Sequence, residues 1–317
     1  MIRALIKRLS EQLPVAYDKT NCFYYLAEAR LGDFESSLNS LDADILTELL
    51  IQVGEMRGIP TSKRFISLIH KINAYCLEIL QYSYKGQILE ATKLLDSLMS
   101  VPKYTDYKLM DWYFNYMVSN FEAPMNLYRC VDFSDKENPE DCNHVPYQLR
   151  RFASKGRYNL LGYPCLYLCS SLECSQKELG KVADGKTRWY GEFKPKQQLS
   201  FLDFCLPSNE AIDHMDAYDM FCFLITYPLR LLCNYKMLNN RGSYCEEYMF
   251  SQLFLHIMFL NKKDIYPNFI GISYSSMHDR QCVNYVIPAL YSGNRPPTEG
   301  HSQYILDLFE QITHQKL

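Results

Sequence analysis

The stretch GRYNLLGYPCLYLCSSLECSQKEL, residues 156–179, holds a turn, a strand and a short helix in succession. Gly156 and Gly162-Tyr163-Pro164 punctuate the chain. From Pro164 to Ser170 the side chains alternate, with Cys165, Tyr167 and Cys169 on one face and Leu166 and Leu168 on the other. Ser170 or Ser171 then stands where a helix N-cap is expected, with Glu173 in the first helical turn and Glu178 in the last. Glu173 complements the positive helix start, whereas Glu178 sits at the negative end, where a carboxylate gains nothing from the dipole. A local rule broken in this way marks Glu178 as a candidate functional residue.

Outward from this stretch the β-rich texture continues. LYRCVDF (127–133), LSFLDFCL (199–206), FIGISYS (269–275) and NYVIPA (284–289) are short apolar or alternating runs set between polar turns. Two helical blocks interrupt them, Asp216 to Leu238 and Tyr248 to Leu260, and Pro228 is expected to kink or divide the first. Before about residue 123 the pattern is helical: Ile45, Leu49 and Val53 share a face, and Phe65, Ile69, Ile72, Cys76 and Ile79 build a continuous stripe. Gly58-Ile59-Pro60, Lys85-Gly86 and Val101-Pro102 break the helices, and Thr61 or Ser62 suits a cap. The aromatics Tyr104, Tyr107, Trp112, Tyr113 and Tyr116 are expected to pack this bundle onto the second domain or a partner. The expected class is α+β, with a helical accessory domain over 1–123 and a mixed-sheet domain with inserted helices over 124–317.

Composition excludes several classes. The 317 residues are 48% apolar with a formal charge of −3, which fits neither a disordered chain nor a basic nucleic-acid binder. The longest apolar runs, Met220 to Thr226 and Met249 to Leu260, fall short of the ~20 residues that span a bilayer, so no membrane partner is expected. Twelve cysteines are scattered, with no signal peptide ahead of them, so reduced thiols and a cytoplasmic location are expected. Cys165, Cys169 and Cys174, or Cys142 with His144, do not make the paired clusters of a structural zinc site, and no metal is expected.

Taken together, Gly156-Arg157-Tyr158-Asn159, Gly162-Tyr163-Pro164, Tyr167 and Glu178 resemble the RES domain, named for its Arg, Glu and Ser. Leu127-Tyr128-Arg129 is similar to the family's opening strand, and Gly271 to Ser276 followed by Asn284-Tyr285-Val286 is similar to the strand that holds the serine. The resemblance covers roughly residues 124–290. It implies an ADP-ribosyltransferase-like fold and cleavage of NAD at the nicotinamide glycosidic bond, by hydrolysis or phosphorolysis, in a toxin or defence effector. Arg157, Glu178 and Ser276 are then the catalytic candidates, the serine chosen over Ser275 because it follows Tyr274 by two residues. Arg129, Tyr158, Tyr167, Tyr274 and Asn284 are the NAD-binding candidates. NAD is a substrate, inorganic phosphate a candidate co-substrate, and no prosthetic group is implied. Partner expectations are an antitoxin or regulatory protein and a second copy of the chain. Lys155 and Ser275 depart from the family's commoner glycine and proline. The attached helical region departs from the usual toxin with a separate antitoxin, so that pairing is not inherited.

The chemistry agrees with these residue types. Departure of a cationic nicotinamide neutralises its own charge, so little acid assistance is needed. An arginine at the diphosphate and a carboxylate near the anomeric carbon supply what remains. Neither serine has a nucleophile elbow or a His–carboxylate pair nearby, which argues against covalent serine catalysis. Arg64 and His70 loosely resemble the Arg-x(4–6)-His motif of HEPN ribonucleases, but six residues turn a helix by about 600°, leaving the two roughly 120° apart. Transfer of ADP-ribose to a macromolecule and a non-catalytic nucleotide-binding or interaction module are the competing readings.

Overall fold

This computed structural model describes the chain except residues 16–21, 58–61, 101–117, 122–124, 135–140, 238–244, 262–268 and 292–296. The breaks at Gly58-Ile59-Pro60 and Val101-Pro102, the cap at Thr61, the five aromatics from Tyr104 to Tyr116 and the side chain of Arg64 lie outside the described residues. The described helices are α1 (Ile2–Glu11), α2 (Phe23–Asn39), α3 (Ala43–Arg57), α4 (Ser62–Tyr84), α5 (Ile88–Ser100), α6 (Leu172–Leu179), α7 (Asn209–His214), α8 (Ala217–Cys233), α9 (Glu246–Leu255) and α10 (Gln303–Leu308). The strands are β1 (Val118–Phe121), β2 (Leu127–Ser134), β3 (Cys165–Cys169), β4 (Lys186–Pro195), β5 (Leu199–Phe204), β6 (Phe269–Ser275), β7 (Val283–Pro288) and β8 (Phe309–Lys316). Helices and a mixed sheet together make the α+β class.

The chain divides into two compact units that are not consecutive blocks: residues 1–117 with 206–257, and residues 118–205 with 258–317. Sheet topology explains the excursion. The sheet runs β1-β5-β6-β7-β3-β2-β4-β8, and β5 pairs β6 in parallel while the other neighbours are antiparallel. A parallel pair needs a long crossover, and residues 206–257 fall within it.

In the helical unit, α8 is buried continuously from Phe221 to Cys233, as expected for a helix apolar on all sides. Asp216 caps it, its Oδ1 accepting the Asp219 N–H at 2.8 Å. Phe65 meets Phe221 at 5.2 Å between ring centroids, and Phe34 meets Tyr227 at 4.6 Å. Pro228 lies inside this undivided helix. Packing on all sides therefore outweighs the lost backbone bond, so of the expected kink or division the helix is not divided there. On α4, His70 Nδ1 sits 3.0 Å from Glu35 Oε2 of α2.

The sheet unit has one apolar face. Leu127, Leu166, Leu168, Phe193, Phe201, Tyr285 and Ile287 form a core there with Ile305 and Leu308 of α10. Its other face carries the polar residues described next. The expectation of reduced thiols throughout is corrected by a disulfide between Cys174 and Cys282, which are 108 residues apart in sequence and 5.6 Å apart at Cα. Among the described residues this is the disulfide that is formed, and the other cysteines are not cross-linked. Among the described residues, no helix is long and apolar enough to cross a membrane, and no group of three or more His, Cys, Asp or Glu side chains is placed to hold a metal.

Candidate active site

Glu178 lies in the last turn of α6, and α6 is tied down along its length. Ser171 provides the cap, its Oγ accepting the Cys174 N–H at 3.1 Å. Ser175 Oγ accepts the Cys130 N–H of β2 at 2.7 Å. At the C-terminal end Arg188 donates through Nη1 to the carbonyl of Gly180 at 2.8 Å, taking up one of the acceptors that a helix end leaves open. The same guanidinium holds both oxygens of Asp132, Nε at 2.7 Å and Nη2 at 2.8 Å. That fork geometry favours arginine over lysine.

The sheet parts beside α6. Strands β2 and β3 share a single register pair, Tyr128 with Cys169, whereas β2 follows β4 over eight pairs and β3 follows β7 over five. The edges left by this splaying find side-chain partners: Ser175 takes the Cys130 N–H, and Arg129 Nη1 donates to the Tyr167 carbonyl at 3.3 Å. Burial pulls the Arg129 pKa below its ordinary value, and its buried Nε has no hydrogen-bond partner among the described residues. Arg129 thus stands at the split, bound to backbone.

Across the polar face, register aligns Thr313, Glu192, Tyr128, Cys169, Asn284, Tyr274 and Phe204 in one row over seven strands. Directly opposed residues share a face, and the side chains touch along much of this row. Tyr128 donates its hydroxyl to Glu192 Oε1 at 3.2 Å, and the Cys169 thiol donates to Asn284 Oδ1 at 3.0 Å. Asn284 Nδ2 in turn donates to Glu178 Oε1 at 2.8 Å. The half-buried Glu178 carboxylate is thereby fixed against β7.

The loop bearing Arg157 is pinned to the same face by Tyr167. The Tyr167 hydroxyl donates to Asn159 Oδ1 at 2.7 Å and accepts the Tyr158 N–H at 3.3 Å. Asn159 Nδ2 also spans the carbonyls of Ser154, Leu160 and Tyr163. Gly156 is required here, because a Cβ would collide with Asn159 Oδ1 and the Tyr167 hydroxyl. The loop sets Tyr158 against Tyr274, with ring centroids 5.0 Å apart, and the buried Arg157 guanidinium 5.9 Å from the Tyr274 ring centre. Tyr274 is the meeting point. Burial drives its pKa well up, the neighbouring Tyr167 and Glu178 add to the rise, and Arg157 opposes it. Its hydroxyl therefore stays protonated at neutral pH. Cys169 is likewise pushed up to about 12, by burial first and then by Glu178, so it is a thiol rather than a thiolate.

Arg157, Tyr158, Tyr167, Glu178, Tyr274 and Asn284 thus gather at one end of the polar row. Ser276 does something else. Its Oγ accepts the backbone N–H groups of His278 at 3.0 Å and Asp279 at 3.3 Å, and its own N–H donates to the Cys282 carbonyl. It caps the turn that leads into β7. Sequence reasoning missed Arg188, Ser175 and the disulfide; a serine in mid-helix and an Arg in a strand give no local sign of their partners. The arrangement joins a buried cation, a positioned carboxylate and neutral aromatic rings, which suits stabilisation of a positively charged sugar within an anionic ligand.

No family model matches the chain, and no solved structure matches it. Among the curated proteins, one from Bacillus subtilis (strain 168) named "Putative toxin YopC" is 22% identical over 296 residues, covering 86% of this chain. The chain spans 65% of the length of that relative.

Proposed function

We propose that the sheet unit cleaves NAD at the bond between nicotinamide and ribose, in the manner of the RES domains that residues 124–290 resemble. The observation that carries this reading is the Arg157 guanidinium 5.9 Å from the ring centre of Tyr274, whose hydroxyl also feels the negative charge of Glu178, the carboxylate that Asn284 holds. Arg157 grips the diphosphate, and Glu178 faces the ribose as positive charge develops on it. The carbon–nitrogen bond breaks with its electron pair going to nicotinamide, which leaves neutral. A bond to an oxygen of water or inorganic phosphate replaces it, and the proton released from water passes to solvent. Tyr167 acts through the Arg157 loop as a positioning residue. The relative named "Putative toxin YopC" supports a toxin role, for which depletion of NAD would be the means.

The test is incubation of the purified full chain with NAD, with and without inorganic phosphate, followed by identification of the products. Free nicotinamide with ADP-ribose, or with its anomeric phosphate when phosphate is present, is the expected result. Intact NAD after prolonged incubation sinks the proposal. Radiolabelled ADP-ribose recovered on protein or nucleic acid instead of in solution moves the assignment to macromolecular transfer.

A further inference from the structure

We propose that Cys174 and Cys282 form a redox modification site, opened by a dithiol reductant, whose state sets how firmly Glu178 is held on the sheet. The inference rests on the reading of Glu178 as the working carboxylate. Two parallel links join α6 to the start of β7. The disulfide runs from Cys174 to Cys282; four residues further along α6 and two further along β7, Glu178 meets Asn284 at 2.8 Å. Four residues on a helix and two on a strand each return to the same face, so both links lie on one seam. Among the described residues, Ser170, just before α6, also meets the first residue of β7, donating its N–H to the Val283 carbonyl at 2.9 Å and accepting the Val283 N–H through Oγ at 3.1 Å, and towards the far end of the helix the Lys177–Asp279 ion pair adds a contact at 2.9 Å. Lys177 is 41% exposed and Asp279 30%, and an exposed pair of this kind holds little.

Exchange at this site balances simply. A thiolate of the dithiol attacks the Cys174 sulfur, whose residue keeps 7% exposure against 3% for Cys282. The Cys174–Cys282 bond breaks, and Cys282 leaves as a thiolate that takes up a proton. The reductant's second thiol then displaces Cys174, so the reductant departs as a cyclic disulfide after giving two electrons and two protons. Cys169 packs in the same cluster, but with its pKa pushed up to about 12 it stays protonated and does not rearrange the pairing. Once the bond opens, α6 keeps its cap at Ser171 and its ties to Cys130 and Arg188. The helix persists while its seam with β7 loosens, and the carboxylate loses its fixed position.

The experiment compares the full wild-type chain, oxidised or incubated with dithiothreitol, by alkylation and mass analysis, backbone hydrogen exchange over residues 174–179, and nicotinamide release. In the reduced chain two additional cysteines become alkylated, exchange in α6 accelerates, and turnover falls by about tenfold or more, because small misplacements of a working group are costly. Reoxidation restores all three. The Cys174→Ser, Cys282→Ser double variant behaves as the reduced chain and no longer responds to dithiothreitol. Absence of the cross-link after oxidation, or identical α6 exchange in both states, overturns the proposal. Alkylation and exchange decide the matter without activity, so a chain that never cleaves NAD yet shows the redox-dependent exchange refutes only the catalytic reading. If the double variant fails to fold, reversible redox titration of the wild-type chain separates the same two outcomes.

Discussion

On β3, Leu166 and Leu168 enter an apolar core with Phe193, Phe201 and Ile287, while Tyr167 and Cys169, their immediate neighbours, belong to the face where Asn284 and Tyr274 lie. The backbone conformation is the same for both sets, and each strand residue differs from the next only in the side to which it points. The apolar face gains from volume and shape, so its residues are replaceable by others that fill space equally well. On the polar face each side chain is used for its donors, acceptors or charge: the Tyr167 hydroxyl makes two hydrogen bonds and Asn284 joins Glu178 to Cys169. Substitutions on the two faces should therefore fail in different ways.

The largest expected effect is on stability and lies on the apolar side. Leu168 is 1% exposed, and Leu168→Ala should cost about 2–5 kcal/mol through lost transfer energy and the cavity left behind. Denaturant unfolding should show an earlier midpoint, while the molecules that stay folded release nicotinamide at the wild-type rate. Lost turnover at unchanged stability would contradict the division of labour between the faces. Glu178→Gln should do the reverse. It keeps the size of the side chain and an acceptor for Asn284 but removes the charge facing the ribose, a loss that commonly costs about 10²–10³ in turnover. Titration of NAD binding should show little change in affinity, and the unfolding midpoint should hold. Retention of wild-type nicotinamide release by folded Glu178→Gln protein removes the carboxylate from the reaction.

What the sequence disclosed about these faces follows from the range over which each feature is determined. Alternation from Cys165 to Cys169 and a serine before α6 are local. The chain follows both, with Ser171 serving as the cap. The α+β class is legible for the same reason, since helical and strand periodicities are each set within a few turns or pleats. Helical blocks are legible within 206–257 too, but the membership of that segment in the helical unit rests on its pairing with remote helices, Tyr227 with Phe34 and Phe221 with Phe65. Nothing inside the segment encodes that pairing. Cys174 and Cys282 escape for a similar reason, as does Arg188, whose partner Asp132 is 56 residues away. At Ser276 the pattern identifies a hydroxyl but not its use, because the N–H groups that it accepts come from a turn whose path is set by the fold.

The smallest expected effect concerns Glu173, which shares α6 with Glu178 and tests whether position rather than charge on that helix matters. Glu173 occupies the first turn, is 75% exposed, and pairs with Lys177 at 2.8 Å. An i,i+4 pair of this kind contributes about 0.2–0.5 kcal/mol, and Lys177 keeps its contact with Asp279 when Glu173 is neutralised. The dipole term at the helix start is of similar size, about 0.3–1 kcal/mol, and is screened by salt. Glu173→Gln should therefore move the unfolding midpoint only slightly and leave nicotinamide release unchanged. The two carboxylates lie five residues apart on a helix that advances about 1.5 Å per residue, so a purely long-range effect of negative charge on the site would be felt from both. Loss of activity in Glu173→Gln comparable to that in Glu178→Gln would mean that the helix acts through its overall charge. Loss in Glu178→Gln alone would assign the effect to the one carboxylate that Asn284 holds.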